Sequence, residues 1–343
     1  MRRETLPPAR RAPVPAAGAP PIDHRALPGP RPAVPRHRRL FHPVTGWFRR
    51  LERATEHFLS RHVYPRLLVL PSIYSSYLER HLTLMEGEVA MARLPAAFDG
   101  LRILLITDIH LGPFLRPAAL ERVFARLLAA QPDLVLLGGD LLTARIDEFQ
   151  PGAAAFRSLQ APLGVFVVLG NHDHYTGGAD RLRVMLGECG IAVLHNRAVV
   201  LERRATSAAG SSDAAGTPGA AAPGRLALAG IDDLHAGRPD LGAALAQIPA
   251  GLPIVLLSHN PDIVFEAARH GVGLVLSGHT HGGQVRIPGL PVIVRMSRYR
   301  LDEWCYDAGD ARVVVSRGLG VTGLPVRLAC PPEAVLITLR RAV

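Results

Sequence analysis

Across residues 82–343, short apolar runs alternate with segments whose apolar positions recur at helical spacing. The runs Leu101–Thr107, Leu134–Leu137, Val165–Leu169, Leu226–Ala229, Ile254–Leu257, Leu274–Leu276 and Arg312–Val315 predict strands. They are continuous in Leu, Val and Ile rather than alternating with polar residues, so both faces should be covered and pairing should be mostly parallel. Between two of them, Ala119, Leu120, Val123, Phe124, Leu127 and Leu128 fall at i, i+3, i+4 positions and predict a helix. Pro261–His270 predicts a shorter one, with proline in the tolerated first turn. Strand–helix–strand alternation predicts an α/β domain over 82–343. Residues 205–224 use only Ala, Gly, Ser, Thr, Pro and Asp and read as a flexible low-complexity insertion.

Upstream the pattern changes. In 46–81, Trp47, Phe48, Leu51, Ala54, Phe58 and Leu59 recur at helical spacing among Arg49, Arg50, Arg53 and Glu56, which predicts an amphipathic helical extension. Such a helix either packs on the main domain or lies on a membrane surface. The run Leu67–Leu70, bracketed by Pro65 and Pro71, is far short of the ~20 apolar residues that span a bilayer. Residues 1–45 are rich in Pro, Arg and Ala and predict a disordered tail without a core of its own.

Composition adds where the charge sits. The formal charge of +10 resembles a nucleic-acid signature, but residues 1–50 hold eleven arginines against Glu4 and Asp23. The remaining 293 residues are nearly neutral, with 28 arginines and 27 acids. No aromatic residues interleave with the basic tail in the manner of a base-stacking surface, so specific nucleic-acid binding is not expected. Three cysteines, Cys189, Cys305 and Cys330, without a C-x-x-C spacing exclude a disulfide framework and suit a reducing compartment. Met1-Arg2-Arg3 followed by prolines lacks the apolar stretch of a secretory signal, and the expectation is a cytoplasmic protein, peripheral at the inner membrane face if 46–80 touches lipid.

The chemistry lies at the ends of the strands. Leu101–Thr107 runs into Asp108-Ile109-His110, and Leu134–Leu137 into Gly138-Gly139-Asp140. Val165–Leu169 leads to Gly170-Asn171-His172-Asp173, and Ile254–Leu257 to Ser258-His259-Asn260. Leu274–Leu276 ends in Ser277-Gly278-His279-Thr280-His281. Open α/β sheets bind ligands at the carboxyl ends of their strands, so five such endings should converge. In extended chain, Asp108 and His110 project together, and so do His279 and His281. Each motif alone is commonplace, since a lone histidine is usually a surface or hydrogen-bonded residue; five in order, each behind an apolar strand, are specific. Two aspartates, an asparagine and several imidazoles suit two divalent ions sharing one carboxylate, and the mixed donor set suits Mn, Fe or Zn. The glycines before Asp140, Asn171 and His279 allow sharp turns and close backbone approach.

D-x-H, G-D, G-N-H-D, a middle histidine and G-H-T-H together closely resemble the calcineurin-like metallophosphoesterases over about residues 84–340. Gly278–Gln284 (GHTHGGQ) and Ser316–Gly320 (SRGLG) resemble the bacterial subgroup of phosphodiesterases and UDP-2,3-diacylglucosamine pyrophosphatase-like proteins, which act in lipid A biosynthesis. The resemblance implies an αββα sandwich with a binuclear centre at one sheet edge. It assigns Asp108, His110 and His281 to one ion and Asn171, His259 and His279 to the other, with Asp140 bridging. His172 is implied to stabilise the transition state or protonate the leaving oxygen. Thr143 departs from the family's G-D-x-x-D pattern, which leaves the group that orients His172 open, with Asp173 a candidate.

The implied reaction is hydrolysis of a phosphoester or phosphoanhydride, a hydroxide held by both ions attacking phosphorus in line. A lipid-linked or membrane-proximal substrate is expected. A nuclease or cyclic-nucleotide phosphodiesterase is the alternative within the hydrolase class, and a non-catalytic binding module the alternative outside it. Arg286, Arg317 and Arg327 are candidates for a further phosphate contact.

Overall fold

The computed structural model describes residues 20–33, 55, 58–67, 70–204 and 223–342. In chain order the strands are β1 (Asp23–Ala26), β2 (Arg31–Pro32), β3 (Thr83–Met91), β4 (Arg102–Ile106), β5 (Leu134–Leu137), β6 (Val165–Val167) and β7 (Ala192–Val193). They continue with β8 (Arg197–Arg203), β9 (Gly224–Gly230), β10 (Ile254–Leu257), β11 (Leu274–Ser277), β12 (Trp304–Ala308), β13 (Ala311–Val315) and β14 (Glu333–Arg341). The α-helices are α1 (Leu70–His81), α2 (Pro117–Leu128), α3 (Phe149–Ser158), α4 (Asn171–Tyr175), α5 (Ala179–Glu188), α6 (Leu241–Leu245) and α7 (Val264–Arg269).

Two seven-stranded sheets result, in the orders β1-β3-β14-β4-β5-β6-β7 and β2-β12-β13-β11-β10-β9-β8. Pairing is parallel except for β14 with β4, β12 with β13 and β8 with β9. The side-chain period of two sorts each apolar run into layers. In β4, Leu104 and Ile106 face the helices α2 and α3, whereas Ile103 and Leu105 face the other sheet. In β10, Val255 and Leu257 join that same inter-sheet layer, and Leu256 faces the core of α6 and α7. Strands covered on both sides must be apolar at every position, which is why the runs read as continuous. The architecture is the αββα sandwich. No helix among the described residues is long and apolar enough to cross a membrane.

Several boundaries differ from expectation. Within the tail predicted to be disordered, β1 pairs in parallel with the edge strand β3 and β2 pairs with the edge strand β12. All four β1 side chains are exposed, so the strand is held by main-chain bonds such as Leu27 N–H to Glu86 O (2.5 Å) rather than by apolar burial. An open sheet edge accepts any chain that can extend, whatever its hydropathy, and composition could not reveal this. Pro71, which brackets the Leu67–Leu70 run, occupies the first turn of α1, where its missing N–H costs nothing. Tyr74 and Leu78 of α1 are buried in the same core as α2. The amphipathic segment Trp47–Leu59 lies almost wholly outside the described residues, as does the insertion, whose last residue Gly224 opens β9.

A Cβ at Gly87 would collide with the Leu27 side chain just beyond β1. Gly87→Ala is therefore expected to lift the N-terminal strap from β3. Trypsin should cut after Arg25 faster than in the parent chain, with little change in the urea midpoint of the core.

Candidate active site

The carboxyl ends of β4, β5, β10 and β11, together with the start of α4, bring the five motifs to one place. Asp108, His110, Asp140 and His281 offer ligand atoms that lie within 4.8 Å of one another, and so do Asp140, His259 and His279. The two groups meet at Asp140. Its Oδ2 is 3.6 Å from His110 Nε2 on one side and 3.2 Å from His259 Nε2 on the other. His281 Nε2 stands 3.1 Å from His110 Nε2 and 3.4 Å from Asp108 Oδ1, and His279 Nδ1 is 3.2 Å from His259 Nε2. Asn171 opens α4 in the next loop, its Oδ1 buried without a hydrogen-bond partner.

The backbone reaches this arrangement differently from the extended geometry expected. Asp108, His110, Asp140, His279 and His281 all have positive φ, between 49° and 71°. Non-glycine residues there carry of order 1–3 kcal/mol of strain each, a feature that concentrates at functional sites. The chain curls past each strand end, so His279 and His281 do not project together but enter different groups. Main-chain bonds between neighbouring strand ends hold the curls: Asp108 N–H to Gly139 O (2.9 Å), His110 N–H to Asp140 O (3.0 Å) and Gly278 N–H to His259 O (3.0 Å). Gly170 and Gly278 serve close approach rather than a turn, since a Cβ on either would strike the Asp140 or Asp108 carboxylate.

Burial drives His110, His279 and His281 well below the ordinary imidazole range, which keeps each ring neutral with one nitrogen lone pair unprotonated. Asp108 is pushed up to about 6 by burial, with the neighbouring Asp140 charge adding to it. Burial also opposes the charge on Asp140, but His259, His172 and His110 together hold it well below the usual carboxylate range. His259 moves well above its usual range because Asp140 outweighs burial.

Such a cluster fits divalent cations. Two ring nitrogens 3.1 Å apart share at most one proton, and His110 Nδ1, His279 Nε2 and Asn171 Oδ1 are buried without hydrogen-bond partners. Carboxylate, amide and imidazole donors converging in a dry site have no cheaper partner than a cation.

A family model described as calcineurin-like phosphoesterase matches residues 101–283. The chain belongs to the calcineurin-like phosphoesterase family. It is 32% identical over 272 residues to the Bacillus subtilis metallophosphoesterase YkuE, covering 78% of this chain and 89% of that protein. An Aquifex aeolicus metallophosphoesterase is 28% identical over 281 residues, covering 80% and 98%. A Danio rerio transmembrane protein with a metallophosphoesterase domain is 31% identical over 273 residues, covering 75% of this chain and 57% of its own length. The protein is a metallophosphoesterase, a hydrolase of phosphoester bonds, with a buried Asp/His cluster suited to a binuclear divalent centre.

Against this family background, the departure at Thr143 resolves in a specific way. His172 Nδ1 lies 2.8 Å from the main-chain oxygen of Thr143. A carbonyl oxygen only accepts, so Nδ1 carries a proton. The Thr143 hydroxyl turns away and donates to His110 O (3.0 Å). Asp173 instead accepts the N–H groups of Leu141, Leu142 and Gly170 at 2.9–3.0 Å and ties the two loops together. Two of the three candidate arginines are committed to carboxylates, while Arg327 Nη2 lies 3.4 Å from His281 Nδ1 at the back of the cluster. Arg286 pairs with Glu303 at 2.8 Å, Arg317 with Glu333, and Arg327 donates to the carbonyls of Arg317 and Gly320. His235 lies with its ring 4.9 Å from that of His279. No spacing signal links the two, because the loop after β9 brings His235 there.

Glu148 Oε2 accepts the N–H groups of Thr143, Ala144 and Arg145 and so pins the loop that orients His172. Burial pushes this carboxyl up to about 6 from 4.5 despite those donors. A raised folded-state value favours the neutral acid, so this group's contribution is greatest below the unfolded value and is lost as pH rises through about 6. Glu148→Gln keeps the acceptor oxygen without the titration. Between pH about 4 and about 7 the parent should lose about 1–2 kcal/mol relative to E148Q, read from urea midpoints.

Proposed function

We propose that the chain is a two-metal phosphodiesterase or pyrophosphatase acting on a lipid-linked or membrane-proximal substrate. The observation that carries the two-metal reading is the meeting of two buried donor sets at one carboxylate, Asp140. In this reading Asp108, His110 and His281 hold one ion, Asn171, His259 and His279 hold the other, and Asp140 serves both. The donor set suits Mn, Fe or Zn rather than the all-oxygen preference of Ca or Mg. When bound, two such ions would acidify a water for attack on phosphorus and neutralise the phosphoryl oxygens.

The chain's own residues do the rest. The strained strand ends fix the donors before substrate arrives, so little reorganisation remains at the moment of reaction. Asp140 Oδ1 accepts the His172 main-chain N–H at 2.8 Å, which ties the catalytic histidine to the bridging carboxylate. With Nδ1 held by Thr143 O, His172 Nε2 is the atom that would deliver a proton to the leaving oxygen. The membrane-proximal part of the reading is supported by the GHTHGGQ and SRGLG resemblance, by the Arg-rich tail, and by a relative whose name joins this domain to a transmembrane protein. A nuclease or cyclic-nucleotide phosphodiesterase would use the same centre, and turnover of a lipid pyrophosphate against single-stranded DNA and a cyclic nucleotide separates them.

Asp140→Asn is expected to lose most of its bound metal by elemental analysis and more than about a hundredfold in turnover of bis-p-nitrophenyl phosphate. Two ions per chain with parental turnover would end the assignment.

His172→Ala should keep its metal and lose about 10²- to 10⁴-fold in kcat with an alkoxide leaving group. The loss should shrink with p-nitrophenolate, which departs without a proton. Equal losses with both would remove His172 from the acid role.

A further inference from the structure

Exposed apolar side chains are unevenly placed on this protein. Among the described residues, twelve large apolar side chains are exposed, and eight of them lie in two segments: Ile287, Leu290, Ile293, Val294 and Met296 in the first, Leu324, Val326 and Leu328 in the second. Leu290, Ile293 and Leu324 are 60–65% exposed. Scattered surface leucines need no explanation, but a contiguous set does.

The two segments form one unit. Gln284, three residues beyond His281, donates from Nε2 to Thr322 O (2.9 Å) and Leu324 O (2.8 Å), and its Oε1 accepts Thr322 N–H (3.1 Å). Arg286 N–H bonds Leu328 O (2.9 Å) and Leu328 N–H bonds Gln284 O (3.1 Å), so the chains pair as they leave the site. Helix α1 braces the second segment through Tyr77 Oη–H to Arg327 O (3.4 Å). Two more of the exposed apolar residues, Leu67 and Ile73, sit just before α1 and on it.

Charge identifies what this surface meets. Residues 284–300 and 322–329 contain no acid, and their exposed arginines are Arg298 and Arg300; Arg286 and Arg295 pair with Glu303 and Asp302 just beyond the first segment, and Arg327 is buried. Behind the first segment a cleft of about 610 Å³ is lined by Arg31, Arg286, Arg295 and Arg300 against Asp302 and Glu303. Apolar tips with a basic surround match the two layers of an anionic bilayer, acyl chains below and phosphate headgroups at their own level. A protein partner of ordinary composition would not require that both segments be free of acids.

We infer that the paired segments 284–300 and 322–328 dock on an anionic lipid bilayer and set the metal cluster at its surface. This deepens the membrane-proximal reading above and rests on it: the segments start beside His281, so a phosphoester would reach the site with its lipid tail still in the bilayer. The sequence points to residues 46–80 for membrane contact; here the contact falls on the rim of the site itself.

The test uses the full chain and the variant Leu290→Ser/Ile293→Ser/Leu324→Ser, with Val184→Ser, exposed elsewhere, as the control. Co-sedimentation is measured with phosphatidylcholine vesicles carrying phosphatidylglycerol and with pure phosphatidylcholine vesicles, at low and high salt. The parent and V184S should bind the anionic vesicles at low salt, and the triple variant should bind about tenfold or more weakly. All three should turn over bis-p-nitrophenyl phosphate equally, which keeps a failure of docking distinct from a failure of the phosphoesterase reading. Equal binding by the parent and the triple variant would overturn the inference, because the Arg-rich tail alone would then account for it. A parent that ignores the vesicles but dimerises, with a monomeric triple variant, would overturn it in favour of a second copy as occupant.

Discussion

Two carboxylates, Asp108 and Asp140, are buried side by side among four imidazoles, and the rest of the molecule is arranged to hold them there. Burying one unpaired carboxylate costs several kcal/mol, and burying two within reach of the same histidines costs more. The sandwich meets that cost with rigid surroundings. Strand ends from both sheets are cross-linked by main-chain bonds, and the glycines before Asn171 and His279 leave space where a side chain would strike a carboxylate. The opposite shifts of Asp140 and His259 express the same constraint: one proton stands in for positive charge that the donors are built to receive. Strain at five left-handed residues is tolerated because the sheets on either side fix every neighbouring position.

The strand endings were legible because apolar runs stop abruptly at polar residues. That signal survives in a single sequence, and it located Asp108, His110, Asp140, Asn171, His259, His279 and His281 together. The way these residues meet was not legible. Period-two reasoning holds only inside a strand, and β4 ends at Ile106, two residues before Asp108. His172 is held by a main-chain oxygen, which every residue type possesses, so the replacement at Thr143 carried no information about it. Glu148 and His235 arrive through loop geometry, for which spacing along the chain is no guide.

The same distinction explains the tail. Hydropathy reports what a segment can bury, and residues 23–32 bury almost nothing. Main-chain donors and acceptors are blind to hydropathy, and the two sheets expose edges at β3 and β12 that this one short segment covers in succession. One strap thus closes an edge of each sheet, removing templates on which another chain could add.

β14 lies between β3 and β4, pairing with the first in parallel and with the second antiparallel. Some 240 residues separate β3 from this partner in the chain, so the middle of the first sheet is a long-range closure. As the polypeptide leaves the ribosome, every residue of the metal cluster has emerged by His281, while β3 and β4 still face one another across a missing strand. Until residues 333–341 arrive, both flanks present unpaired N–H and C=O groups, the condition in which strands find wrong partners. Loop closure over such a distance is slow. The chemistry is thereby encoded early and the scaffold completed late, which makes the last strand the step on which productive folding of this hydrolase depends.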